Sequence, residues 1–308
     1  MFVRQYIGAN RVLGLRLKIY KTSKPINRII TERNYTIPNT KMSKHGDFNK
    51  IQSERVPFSE TDWVTTQIPN KDWIPGTGAH NDEWKSHKKV AIDPYAEGRP
   101  SGFNYKTLIS AITPRPIGFV SSVGKDGQAN LAPFSYFSLA CHDPPTFTLG
   151  ISYGNGYKDT AQNILDTNEL TINIISEWFV EAANYTSINA PYGVDEWELS
   201  GLTKAPSIKV KPAHVAESAF SIEGKLVSKY DTFSKTDPDK QTGSVLIIEG
   251  VYFHAREDVI NEDLNQLDIG KLKPVSRLGG ITYGRTTSGF EAERPVYATP
   301  YSDPEVAK

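Results

Sequence analysis

A single cysteine, Cys141, stands in a chain of 308 residues. It excludes an internal disulfide and any cysteine-cluster metal site, and it suits a reducing compartment. The two Asn-Tyr-Thr sequons, at Asn34 and Asn184, therefore carry little weight. No run approaches the roughly 20 apolar residues of a membrane span, and no short apolar block ends in a small-residue cleavage site. Net charge is lacking too. The 35 basic and 35 acidic residues cancel, so no overall field draws the molecule towards nucleic acid or an anionic membrane. Any anion it binds is held locally. These absences lead us to expect an intracellular, cytoplasmic protein without nucleic-acid or membrane partners.

Several chemistries are missing by motif. There is no His-Glu-x-x-His and no Cys-x-x-Cys, which argues against a zinc site. The glycine loops Gly76-Thr77-Gly78 and Gly154-Asn155-Gly156 lack both the dinucleotide fingerprint spacing and a Gly-Lys-Ser/Thr ending. No Gly-x-Ser-x-Gly nucleophile elbow occurs. Cys141 beside His142 is not a reactive pair if both lie in a strand, where neighbours point to opposite faces, and Cys141 is expected to be a packed small residue.

What is present suffices for a sizeable core: 38% of residues are hydrophobic and 11% aromatic. Residues 1–46 form a basic leader, with ten Arg or Lys up to Lys44 and Glu32 as the sole acid there. Its composition resembles a mitochondrial presequence. The alternatives are a disordered leader or a true start at Met42. Residues 47–100 are polar and turn-rich, with Trp63, Trp73 and Trp84 about ten residues apart and no period of 2 or 3.6. We expect an irregular arm that buries its tryptophans on the main domain.

Regular structure is expected from Ile117 onward. Ile117 to Val123 and Gln128 to Ala132 read as strands around a Gly124-Lys125-Asp126-Gly127 turn. Thr146 to Ile151 and Glu169 to Ile175 follow as strands, and Phe220 to Tyr230 and Ser244 to Ala255 as long ones joined by a polar insert, Asp231 to Thr242. Asp159-Thr160-Ala161-Gln162 has the form of a capping box opening a helix to about Asp166, and Ser176 is positioned to cap another through Asn184. Many antiparallel strands with short helices predict a mainly β fold closed as a barrel. A tail, 286–308, follows the barrel region 101–285.

Two stretches suggest a ligand. Free N–H groups at the helix opening near Thr160, with Lys158, Asp159 and the Thr160 hydroxyl, suit a phosphate, and so does an ordinary capped surface helix. The loop from Asn130 to Ser138 mixes Asn130, Ser135 and Ser138 with Pro133, Phe134, Tyr136 and Phe137. A flavin ring requires apolar faces and a hydrogen-bonding edge, which such a loop offers; the aromatics serve equally as core. Arg115, between two prolines, is held in extended backbone and can pair with a phosphate or carboxylate, or serve as a surface turn residue. Arg277 to Tyr283, with Gly279-Gly280, offers close backbone approach beside a guanidinium and a phenol, or a plain turn.

Thr113-Pro114-Arg115-Pro116-Ile117, the run Gly127 to Phe137, Asp143-Pro144-Pro145, the run Lys158 to Ile164, Ala182 to Thr186, and Arg277-Leu278-Gly279-Gly280 together resemble the flavin reductase-like family of FMN-binding split barrels. The resemblance spans about Phe103 to Tyr283. It implies a homodimer holding FMN non-covalently near the subunit interface, with NADH or NADPH as electron donor and FAD as an alternative, exchangeable flavin. Carried over by position, the Asn130 to Ser135 loop, with Asn130, Leu131, Ala132, Pro133 and Ser135, would contact the flavin ring. Lys158, Asp159 and Thr160 would lie at the phosphate end, and Arg277 with Gly279 and Tyr283 at the outer ring or ribityl side; Arg115, Tyr136, Phe137 and Ser152 are further cofactor-binding candidates. Family members feed flavin to a monooxygenase, carry electrons, or reduce other acceptors. The implied activity is hydride transfer from NAD(P)H to flavin; the alternative is a flavin-binding carrier without nucleotide turnover. Because a bound flavin supplies its own reactivity, no catalytic residue is named.

Overall fold

The computed structural model describes residues 47–154 and 156–295. The basic leader and the last thirteen residues of the tail lie outside the described residues. The chain divides into two units, residues up to Ser59 and residues from Glu60 onward. In the first, Phe48–Ser53 is a helix capped by the Asp47 carboxylate, which accepts from Lys50 N at 3.2 Å.

The second unit is built on seven antiparallel strands: β1 (Gly118–Val123), β2 (Ala129–Phe134), β3 (Phe137–His142), β4 (Pro145–Ser152), β5 (Glu169–Ile174), β6 (Phe220–Phe233) and β7 (Gln241–Ala255). Their spatial order is β2-β1-β5-β6-β7-β4-β3. The two edge strands, β2 and β3, are consecutive in the chain, so the sheet rolls round and its ends meet at the link Ser135–Tyr136. This is a split β-barrel. Gly150 N donates to Tyr136 O at 2.7 Å and fixes that link against β4.

Burial explains the strand sequences. In β1, Phe119 and Val120 are both fully buried although successive side chains point to opposite faces. Val120 joins the barrel interior with Leu149, Ile172, Leu246 and Ile248, and Phe119 joins a second core with Leu131, Ile175, Phe179 and Trp197. A strand covered on both faces reads as a continuous apolar run.

Four helices matter for the site. They are α1 (Ser101–Ala111), α2 (Asp159–Thr167), α3 (Val180–Tyr185) and α4 (Glu196–Ser200). Two short strands, β8 (Val275–Gly279) and β9 (Thr282–Arg285), form a hairpin beside the barrel, and the Arg277 backbone pairs with that of Arg115.

The structure corrects several expectations. Regular structure begins well before Ile117, with the strand Val64–Thr66 paired in parallel to Ser288–Phe290 and with α1. Trp63 is half-buried, but Trp73 and Trp84 are 48% and 63% exposed, so the arm does not bury its tryptophans as expected. Cys141 is exposed on the edge strand β3 rather than packed. The expected Asn130–Ser138 loop is mostly strand, because Pro133 and Phe134 still pair with Phe119 and Gly118. The insert after Asp231 shrinks to 234–240, since β6 runs on to Phe233 and β7 starts at Gln241. Ser176 caps nothing; its buried hydroxyl finds no hydrogen-bond partner, and a 3-10 turn over Glu177–Phe179 precedes α3.

Candidate functional site

Arg115 enters the structure between two prolines at the mouth of β1, and its backbone exchanges hydrogen bonds with Arg277, N to O at 3.1 Å and O to N at 3.0 Å. This reciprocal pair sets the two arginine backbones side by side. The Arg115 side chain is only 7% exposed. Its Nη1 donates to the carbonyl oxygens of Ile109 at 2.5 Å and Ile112 at 2.6 Å, while Nε reaches Ser135 Oγ at 3.4 Å. A cation therefore caps the C-terminal carbonyls of α1, where the helix dipole is negative. Arg277 stacks over the Tyr283 ring at 4.5 Å and donates through Nη2 to Gly280 O. Among the described residues, no carboxylate pairs with either guanidinium.

Both arginines face a cavity of about 190 Å³. Pro133, Phe134, Ser135 and Tyr136 supply one wall, Gly150 and Ser152 from β4 another, and Tyr105 and Ile109 from α1 a third. A Cβ on Gly150 would sit 2.9 Å from Tyr136 Cβ, so glycine there lets the Ser135–Tyr136 link lie flat on β4. At the opposite side Gly279 has φ +114°, and a Cβ there would sit 3.0 Å from Ile109 O, so glycine lets α1 pack closely against β8. Burial pushes the Tyr136 phenol above its ordinary pKa, helped by the nearby Tyr105 phenol and opposed by Arg115.

The structure thus brings Arg115, Pro133, Ser135, Tyr136, Ser152 and Arg277 together. The other anticipated residues lie around this group. Leu131 and Phe137 are core, and Ala132 is half-buried in β2. Asn130 does not offer its amide to a ligand edge; Nδ2 donates to Thr160 Oγ1 at 2.7 Å, and both residues are buried. That bond ties the start of α2 to β2, three residues from the cavity wall at Pro133. Lys158 is exposed at the N-cap position of α2, and Asp159 is the first helical residue rather than the cap. The expected capping box is absent because the helix starts one residue earlier, with Gln162 N donating to Lys158 O at 2.9 Å. Tyr283 turns its hydroxyl away to donate to Asn184 Oδ1 at 2.8 Å. Tyr105, Ile109 and Gly150 were missed. Nothing in their local pattern marks them, since they meet the cavity only through tertiary packing.

Two guanidinium groups without carboxylates, beside a wall of Pro133 and aromatics, fit an anionic planar ligand. Residues 110–268, just over half of the chain, match the model of the flavin reductase like domain. The chain belongs to the flavin reductase-like family. An uncharacterised protein of Aquifex aeolicus is 34% identical over 181 residues, 58% of this chain and 88% of that protein. The crystal structure of nitrilotriacetate monooxygenase component B from Bacillus cereus is similar with a TM-score of 0.63 and 31% identity, covering 67% of this chain and 100% of that one. That of the Pseudomonas fluorescens 2-nitrobenzoate 2-nitroreductase has a TM-score of 0.59 and 26% identity, covering 69% and 98%. Membership makes this chain a flavin-related oxidoreductase. Among the described residues no group of His, Cys, Asp and Glu is placed to hold a metal ion, and no helix is long and apolar enough to cross a membrane.

Proposed function

We propose that this chain binds FMN non-covalently and passes hydride from NADH or NADPH through it to an exchangeable FMN or FAD, or to a partner protein such as a monooxygenase. The observation that carries the reading is the pair of guanidinium groups, Arg115 and Arg277, that face the Pro133–Tyr136 wall without a carboxylate partner. When bound, a flavin supplies the hydride-accepting ring; the protein supplies position, dryness and charge. Pro133, Phe134 and Tyr136 cover an apolar face and exclude water. Ser135 stays close to Arg115 and is oriented by it. The Arg115 and Arg277 guanidinium groups would favour negative charge on a group bound in this cavity. Lys158 and the first free amides of α2 are suited to hold a phosphate, tied to the same strand through Asn130 and Thr160.

The cavity, at about 190 Å³, is smaller than the roughly 300–1,000 Å³ usual for a ligand site. A second copy of the chain would supply the missing wall, as suits a homodimer with the site at its interface. Leu139, Leu278 and Ile281 are 63%, 39% and 46% exposed and available for such a face. The monooxygenase partner is supported by similarity to component B of the Bacillus cereus enzyme. The test is the absorbance spectrum of the purified chain with the released cofactor identified by mass, followed by NADH and NADPH oxidation with added flavin. A yellow protein releasing FMN, with oxidation above the protein-free control, is expected. A colourless chain that fails to quench FMN fluorescence would sink the reading.

A further inference from the structure

Glu196 is a buried carboxyl that the proposed function leaves unused. It opens α4, is 7% exposed, and has no ion-pair partner among the described residues. Its Oε2 accepts from Leu131 N at 3.4 Å, on the edge strand β2. Asn130, the residue before Leu131, donates to Thr160 Oγ1 at 2.7 Å. Two consecutive residues of β2 therefore hold two helices, Asn130 the opening of α2 and Leu131 the opening of α4. Through them Glu196 is joined to the helix start that is suited to a phosphate.

The charges around Glu196 do not compensate it. Asp159, on the first turn of α2, and Asp195, the cap of α4, both act against its ionisation. The nearby Lys204 is taken up by Asp195 at 3.3 Å, and Lys158, beside Asp159, is exposed. Helix α4 also packs on α3, where Glu181 and Tyr185 are exposed, as is Glu198 on α4 itself. Burial pushes the Glu196 carboxyl above its ordinary value; its own amide and that of Leu131 oppose this, and Asp159 and Asp195 add to it. A neutral carboxyl keeps the bond from Leu131 N and places no charge beside α2. An ionised one adds an uncompensated negative charge in a partly buried setting, where charges are felt strongly.

We infer that Glu196 is a positioning residue of the phosphate end, holding the edge of β2 as a neutral acid so that an anion can occupy the opening of α2. The inference rests on the flavin reading, and within it on a phosphate at α2. Bound phosphate and ionised Glu196 disfavour each other, so affinity is highest where Glu196 keeps its proton and falls as pH rises through its ionisation. The second ionisation of the phosphate itself, at about pH 6, acts in the opposite sense by strengthening contacts with Lys158 and the helix amides.

The test is the FMN affinity of the full-length chain, read by fluorescence quenching from about pH 5 to about pH 8.5, in wild type and Glu196→Gln. At the acid end the two bind alike. At the alkaline end Glu196→Gln binds about five- to tenfold more tightly than wild type, the usual size of a coupling between two sites. Superimposable profiles overturn the inference. So does a difference of the same size at every pH, which marks a merely structural role. Calorimetry on the wild type needs no variant: FMN is titrated in two buffers of different ionisation enthalpy at about pH 7.5, where the phosphate has already lost its second proton. Net proton uptake on binding is expected, and its absence overturns the inference. A chain that binds no FMN at any pH removes the flavin reading and this inference together; a chain that binds FMN with Glu196→Gln tracking wild type removes only this inference.

Discussion

Glu223 and Arg115 are both buried charges, and the fold treats them in opposite ways. Glu223, fully buried in β6, accepts from the backbone amides of Ile208 at 2.7 Å, Lys209 at 2.5 Å and Val210 at 3.1 Å, and meets His254 Nε2 at 2.6 Å. The His254 ring in turn stacks on His214 at 4.0 Å. Burial pushes the Glu223 carboxyl up, but these hydrogen bonds outweigh it and leave the pKa below its ordinary value. Every lone pair is used, so nothing is left for a ligand. Arg115 has carbonyl and hydroxyl partners but no opposite charge among the described residues, and it borders a cavity. A charge fully satisfied by the protein pins a loop in place, whereas a charge left without a counter-ion points to a binding site.

The comparison can be broken most forcefully at Glu223. Glu223→Ala strands three amides and His254, and should destabilise folding by about 3–5 kcal/mol, the usual penalty for removing one member of a buried charged network. Urea denaturation measures this; a loss within 0.5 kcal/mol would show that the loop at Ile208–Val210 needs no such anchor. At the other pole, Lys158→Glu sets a negative group against a phosphate. It should weaken FMN binding by on the order of 1–3 kcal/mol with folding stability unaltered. Unchanged affinity in a fluorescence titration removes Lys158 from the site. Arg115→Lys keeps the charge but loses the fork that spans two carbonyls and Ser135. We expect about a tenfold loss of FMN affinity, roughly 1.4 kcal/mol, with a smaller loss of stability. The reverse ranking would make Arg115 a strut of α1 alone.

The smallest effect is in pH. Burial, then the neighbouring His254, lower the His214 pKa, with Glu223 opposing. The folded state thus prefers neutral His214. Its contribution is complete above the ordinary histidine value of about 6.5 and declines as pH falls below it, because the unfolded chain takes up the proton first. The depressed Glu223 carboxyl contributes fully above about 4.3 and is lost as pH falls through its lower folded value. Denaturation midpoints measured from pH 7 to pH 3 should therefore fall in two stages, with His214→Phe removing the first and Glu223→Gln reducing the second, to which the lowered carboxyls of Asp126, Asp166, Asp231 and Asp258 also contribute. Superimposable wild-type and His214→Phe curves between pH 7 and pH 5 would refute the first stage.

The barrel strands were legible because their sequences record burial directly. Ile117 to Val120 is free of polar side chains and the small Ser121 and Ser122 follow it into the interior, since both faces of β1 are covered, and the turn Gly124 to Gly127 announces itself by composition. Helix α1 was not legible. Its apolar residues Phe103, Tyr105, Leu108 and Ile109 form no clean stripe, since only Ile109 is buried and the remaining hold is polar, through Arg115 beyond its end and through Asn104, which bonds to Arg99 and the Pro94 carbonyl. Cys141 was misplaced for a related reason: whether an apolar strand is central or at an edge depends on what pairs beside it, and β3 has β4 on one side alone.

By itself the sequence determined the strand pattern, the family motifs and the cluster of Arg115, Pro133, Ser135 and Tyr136 as ligand-facing candidates, because periodicity, turn residues and short motifs are local properties of a chain. Only the tertiary structure decided that Asn130 is committed to Thr160, that Arg115 and Arg277 stand side by side, and that Tyr105 overlooks the cavity. Those facts arise from side chains far apart in sequence, brought together when the sheet rolls up and its two edges meet at Ser135–Tyr136.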